Sequence, residues 1–263
     1  MTIREHRQVT RAGRDSSRTK PVQRRRRQMP PAGMYMLAVA AALALCSLLS
    51  TLHSARGAES RSSAAGPTWI PHPDHPFSVS ATEVTVAQFR ACVEAGACDV
   101  ATTDHACNFG KAERESHPVN CVTYHGAEQY CAYVGGRLCT QEEWLAACRG
   151  SQGRPFPYGH TFELESCNVQ SQTLTVEGRE RGTVPVGSLT QCEGGLSGLF
   201  DMAGNVAEWV DSCKDSYCKF RGAGYLSNDP VDSFAGCRGV CSGNDKAFKS
   251  GVVGIRCCKE EIE

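Results

Sequence analysis

Between residues 85 and 149 the apolar positions recur three times at helical spacing, and each stretch carries its own start signal. Thr85 is placed to cap a helix in which Val86, Phe89 and Val93 share a face, and Gly96 stops it. Thr123 opens a second, with Ala127, Tyr130, Cys131 and Val134 at i, i+3, i+4 and i+7 before the left-handed stop Gly135-Gly136. Thr140 and Glu143 form a capping box ahead of a third helix that buries Trp144, Leu145 and Cys148. Gly136-Arg137-Leu138 reads as a tight connection between the second and third helices. From Gly150 onward the helical period is lost. Val184–Val186, Leu199–Met202 and Val206–Val210 are short apolar runs broken by Gly, Ser, Asn and Asp, a pattern of short strands, turns and long loops. Helices first and irregular strands afterwards predict one α+β domain over 77–263.

Upstream the pattern changes character. Met34 to Leu52 contains no charged residue and follows the run Arg24 to Arg27. A basic flank before an apolar core is the layout of a signal peptide over 34–57, with Ala55-Arg56-Gly57 offering small residues for cleavage. The same run just suffices for an uncleaved membrane anchor, and both readings stay open. In either case the chain beyond Leu52 is expected to be exported, to a periplasm, cell envelope or extracellular space. Residues 1–33 read as a basic, disordered leader and 58–76 as a Ser/Ala/Gly/Pro/His-rich linker. His72 and His75, in Pro-His-Pro-Asp-His-Pro, read as parts of a stiff tether and not as metal ligands.

Charge sharpens this division. The 28 Lys+Arg and 28 Asp+Glu cancel, but ten of the bases stand in 1–33 against Glu5 and Asp15 only. The leader is therefore +8 and the rest −8, which excludes a basic nucleic-acid binder for the folded part. Fifteen of the 16 cysteines lie beyond the apolar run, from Cys92 to Cys258. In an oxidising compartment that density reads as a disulfide framework, and an odd number leaves at least one free, intermolecular or modified.

Taken in order, the motifs Thr82–Phe89, His117-Pro118-Val119, Ala127–Tyr133, Gly136-Arg137-Leu138, Thr140–Trp144, Arg149-Gly150 and Pro157-Tyr158-Gly159 resemble one known family. Pro185–Ser188, Gly198–Trp209 and Gly254-Ile255-Arg256-Cys257 complete the series. The chain resembles the formylglycine-generating enzyme (sulfatase-modifying factor) family over essentially all of 77–263. The resemblance implies a C-type-lectin-like α+β fold with little regular structure. It also implies two structural disulfides: Cys131 with Cys257, and Cys148 with Cys237, or with Cys241 if the register slips. Loops of that size stabilise by about 4–5 kcal/mol each in the chain-entropy model. Within Asp201–Trp209 the residues read as architecture: a positive-φ glycine, Asn205 and Glu208 bonding backbone groups, and Trp209 filling the core.

The family's activity implies oxidation of a substrate cysteine to formylglycine in sulfatases, with copper and oxygen. Its two copper-binding cysteines follow an Arg-Gly-Gly-Ser segment, five residues apart. Here that segment matches Arg221-Gly222-Ala223-Gly224, and the cysteine positions fall on Ser227 and Asp232, neither of them a thiolate. Copper is therefore not expected. Cys213 and Cys218 have the same spacing ahead of the segment and are the candidate catalytic thiolates, although export and neighbouring cysteines favour a small loop disulfide. Asn168-Val169 matches a family calcium segment, so calcium stays open, with Glu177 and Glu180 as the nearest acids. His117 and His125 are expected in solvated or capping roles. The favoured function is an exported binding module for a peptide, glycan or protein, tethered to a membrane if the apolar run is retained. The alternative is an atypical metal-dependent oxidoreductase with a rebuilt thiolate site.

Overall fold

The computed structural model describes residues 66–169, 182–227, 236–237 and 242–261, all within one compact unit, 56–263. The basic leader, the apolar run and Asp232, Cys241, Glu177 and Glu180 lie outside the described residues. Among the described residues no helix is long and apolar enough to cross a membrane.

Each helix begins where a threonine satisfies its first amides. Thr85 caps α1 (Val86–Glu94), and Gln88 answers through its side chain to complete a capping box. Thr123 caps α2 (Tyr124–Tyr133), and Gly135 leaves it at φ 76°. Thr140 and Glu143 close a reciprocal box at the start of α3 (Gln141–Arg149). The buried faces are Val86, Phe89 and Cys92 on α1, Ala127, Tyr130 and Cys131 on α2, and Trp144, Ala147 and Cys148 on α3. Val93 and Leu145, expected on those faces, are only half-buried.

Two four-stranded sheets complete the domain. The first runs β1 (Trp69–Pro71), β2 (Phe77–Ser80), β8 (Cys257–Glu260), β3 (Arg137–Leu138), all antiparallel. The second runs β6 (Ser242–Asp245), β5 (Tyr217–Arg221), β4 (Ala207–Lys214), β7 (Val253–Gly254), with only the β4–β7 pair parallel. Three sequence expectations change here. Trp69–Pro71, inside the expected linker, is an edge strand, where proline costs little because one side of the ladder is open. Arg137-Leu138 is not merely a connection but pairs with β8. The runs 184–186 and 199–202 form no named strand, whereas 206–210 opens into β4.

Adjacent positions on β8 face opposite ways, and the core divides accordingly. Cys257 joins a cluster with Phe89, Tyr130, Trp209 and Ile255. Cys258 joins a second, with Val79, Trp144, Leu199 and Val210. Among the described residues there are seven disulfides. Cys131–Cys257, Cys139–Cys258 and Cys148–Cys237 span 126, 119 and 89 residues. Cys92–Cys98, Cys107–Cys121, Cys167–Cys192 and Cys213–Cys218 close shorter loops. Gly195 shows how closely the loops pack: at φ 75°, a Cβ there would stand 2.0 Å from the Ala147 carbonyl oxygen.

Candidate functional site

The segment matched to the copper-binding region begins at the end of β5. Gly222 turns the chain at φ 79° beside the Trp144 ring, and Ala223, Gly224 and Tyr225 are buried behind it. Ser227 then closes a turn, its amide donating to the Gly224 carbonyl at 2.9 Å. Ser227 is the position that the resemblance matches to the first copper-binding cysteine, and its counterpart Asp232 lies outside the described residues.

The rival pair sits on the neighbouring hairpin. Cys213 on β4 faces Cys218 on β5 in register, and the two form a disulfide with Cα atoms 4.0 Å apart. Cys213 is exposed, whereas Cys218 is fully buried. With the bridge closed neither sulfur is a thiolate. Among the described residues, the bridged Cys213 and Cys218 do not fit a pair of thiolate ligands for copper.

Beneath the hairpin lies a buried polar network that carries the central motif. Glu83 accepts from the Asn205 side chain and from the Val206 amide at 2.8 Å. Glu208 accepts from the Trp144 indole and from Arg256 Nε at 2.8 Å. Arg256 also donates to the carbonyls of Ser80 and Phe200, at 2.7 and 2.8 Å. Burial pushes the carboxyls of Glu83, Asp201 and Glu208 above the ordinary range, and Arg256 works against it. Asn205 meets backbone as expected, at Val184. Glu208 does not: its partners are side chains brought from α3 and from the turn before β8. All these groups are sealed from solvent, so they position chain segments and have no access to a substrate.

Asn168 is equally buried. Its Nδ2 donates to the Gly182 carbonyl and to Asn205 Oδ1, while its own Oδ1 has no hydrogen-bond partner. That oxygen is of the type calcium takes, and Val169 beside it is buried too. Among the described residues Oδ1 is a single side-chain oxygen toward the six to eight ligands that calcium needs, and Glu177 and Glu180 lie outside them. Asp104, Cys107 and Cys121 also converge, but the two sulfurs are bridged to each other.

The histidines divide. His125 is exposed on α2, 3.6 Å from Glu128. His117 is neither solvated nor a cap. It is buried, with Nδ1 2.9 Å from the Thr183 hydroxyl, and burial together with the Arg114 guanidinium lowers its pKa to about 4. His72 is buried as well, with the Asp74 amide on its Nδ1.

Several depressions open on the surface of the described residues. Two adjoin along the outer side of α3, of about 370 and 490 Å³, and share His75, Glu142 and Ala146. A third, of about 350 Å³, lies between α1, α2 and β1.

Comparison with known proteins gives a family model that covers most of the chain. The model of the sulfatase-modifying factor enzyme 1-like domain matches residues 54–261. An inactive C-alpha-formylglycine-generating enzyme 2 of Bos taurus is 31% identical over 160 residues, 56% of this chain and 52% of that protein. The formylglycine-generating enzyme of Mus musculus is 30% identical over 146 residues, 52% of this chain and 36% of that one. The matches therefore span about half or less of these relatives' length. Among solved structures, PvdO from Pseudomonas aeruginosa superposes with TM-score 0.56 at 21% identity, covering 74% of this chain and 92% of its own. CarF does so with TM-score 0.54 at 20% identity, covering 76% and 95%.

Proposed function

The chain belongs to the sulfatase-modifying factor family, and from that premise we propose that it is a non-catalytic member, an exported binding module for a peptide, glycan or protein. One observation carries the reading: Cys213 and Cys218 are bridged, while Ser227 occupies the position that matches the first copper-binding cysteine. The bovine relative, described as inactive, agrees with it. Seven disulfides among the described residues support an oxidising compartment, with the charge-free run after Arg24–Arg27 as export signal or membrane tether. Long loops pinned by bridges lose little conformational entropy on binding, which suits a recognition surface.

The purified chain, given Cu(I), oxygen and a cysteine-containing sulfatase peptide, is expected to leave the peptide thiol unconverted, as read by mass spectrometry. Formylglycine formation above a no-protein control would overturn the reading. The oxidoreductase alternative draws on the exposure of Cys213, and it requires conversion that appears after reduction and disappears in Cys213→Ser.

A further inference from the structure

The β4–β5 hairpin ends in a bridge whose two cysteines stand in different surroundings. Cys213 is exposed, and so are Lys214, Asp215, Ser216 and Tyr217 after it. Tyr217 keeps 52% of its surface although aromatic. An open tip of this kind admits a peptide chain as readily as a small reagent. Cys218, opposite Cys213 in the ladder, is 0% exposed and packs in the cluster with Phe89, Tyr130 and Trp209. No dissolved thiol reaches it there, so Cys218 exchanges only with a sulfur carried on Cys213. In the other six bridges of the described residues both cysteines are buried.

The fold does not lean on this bridge. Its sequence separation of 5 is the shortest of the seven, and the entropy that a crosslink removes from the unfolded chain grows with loop length. The hairpin is also held without it. Trp209 pairs with Phe220 on one side of the bridge and Lys214 with Tyr217 on the other. β6 pairs with β5 from Tyr217 to Phe220, and the Lys246 amide donates to the Ser216 carbonyl at 2.9 Å. Once opened, the two cysteines therefore stay opposite each other, ready to close again. An accessible sulfur backed by a sealed one, on a scaffold that keeps its shape either way, is the arrangement that disulfide exchange requires. We propose that Cys213–Cys218 is a metal-free thiol–disulfide exchange site for a peptide that carries two cysteines. A peptide thiolate attacks Cys213 Sγ and forms a peptide–Cys213 disulfide. The Cys213–Cys218 bond breaks, and its electron pair goes to Cys218, which takes up a proton. The second peptide thiolate then attacks the peptide sulfur of the mixed disulfide and releases Cys213, which takes up the second proton. The peptide gives up two electrons and two protons, the bridge gains both, and no other reactant is needed. This redox step goes beyond the binding-module reading and does not depend on it.

The test incubates the full oxidised chain with a reduced peptide holding Cys-Gly-Gly-Cys, without oxygen and with a copper chelator. About one equivalent of peptide disulfide per chain is expected by mass spectrometry, with alkyl label on Cys213 and Cys218 and the other six bridges closed. Cys213→Ser, at an exposed position, is expected to yield none. Cys218→Ala keeps a small apolar group in the core and leaves Cys213 without its resolving thiol. Given the oxidised peptide, that variant is expected to hold about tenfold more mixed disulfide on Cys213 than the parent reduced at this bridge. The proposal is overturned if the peptide stays reduced, if Cys213→Ser oxidises it as the parent does, or if Cys218→Ala gathers no peptide. Opening by dithiothreitol alone also overturns it, since an exposed bridge yields to that reagent whatever its role. No copper takes part, so this assay and the formylglycine assay fail separately.

Discussion

Arg256 Nε donates to Glu208 Oε1 at 2.8 Å, and neither side chain is more than 1% exposed. A charge so completely removed from water is tolerated only while its partner is present. Arg256→Met is therefore expected to destabilise the domain by about 3–5 kcal/mol, since it strands a buried carboxylate among Glu83 and Asp201. Adding Glu208→Gln should recover part of that loss. Urea unfolding of the two variants checks it; equal stability of single and double variants would show that the pair is not coupled.

Among the described residues Cys213 is the one exposed member of the fourteen bridged cysteines. Thiol–disulfide exchange needs an attacking thiolate to reach a sulfur in line with the bond. Under mild reduction Cys213–Cys218 is expected to open before the other six bridges, and alkylation with peptide mapping reads the order directly. Prior opening of Cys131–Cys257 would mean that accessibility does not govern the sequence of events.

His117 predicts a pH slope. Its imidazole, held down at about 4 against 6.5 in an open chain, binds protons less tightly folded than unfolded. The resulting stability is fully present above about pH 6.5 and is lost as the pH falls toward 4, an effect of up to about 3 kcal/mol. The raised carboxyls of Glu83, Asp201 and Glu208 act with the opposite sign, lending stability at acid pH that is lost as the pH rises through their folded values. Thermal unfolding of His117→Asn between pH 4 and 7 should therefore show a shallower acid-side decline than the parent.

Gly195→Ala tests the loop packing. Its φ of 75° and the 2.0 Å approach to the Ala147 carbonyl leave a methyl no room, because the obstacle is helix backbone. A loss of about 2–4 kcal/mol is expected, from backbone strain and overpacking together. An unchanged denaturation midpoint would mean that the loop at 193–195 moves aside freely.

What the sequence disclosed followed the range of the forces involved. The helices were legible because Thr85, Thr123 and Thr140 act on amides two or three residues away. The sheets were not. β3 is two residues long, and its partner Cys257–Cys258 stands over a hundred residues downstream, with no local pattern to announce it. Trp69–Pro71 was hidden by its composition, since a proline-rich stretch reads as a tether until a neighbour pairs with it. The same limit governs the sites. The spacing of Cys213 and Cys218 was visible, but not that one sulfur faces water and the other the core. Nothing near Glu208 named Arg256, 48 positions away, or led from His117 to Thr183.

The neighbouring cysteines of β8 have a consequence for timing. Cys257 is fastened to α2 and Cys258 to the residue after β3, from opposite faces of the strand, which itself fills the gap between β2 and β3. Until that strand has been made, the first sheet is two separate pieces and Cys131 and Cys139 have no proper mates. A ribosome delivers β2, α2 and β3 well before it delivers β8, so the middle of the chain must wait as an open assembly. Closure of these two bridges is thus a late event, and until β8 arrives the thiols of Cys131 and Cys139 are open to wrong partners.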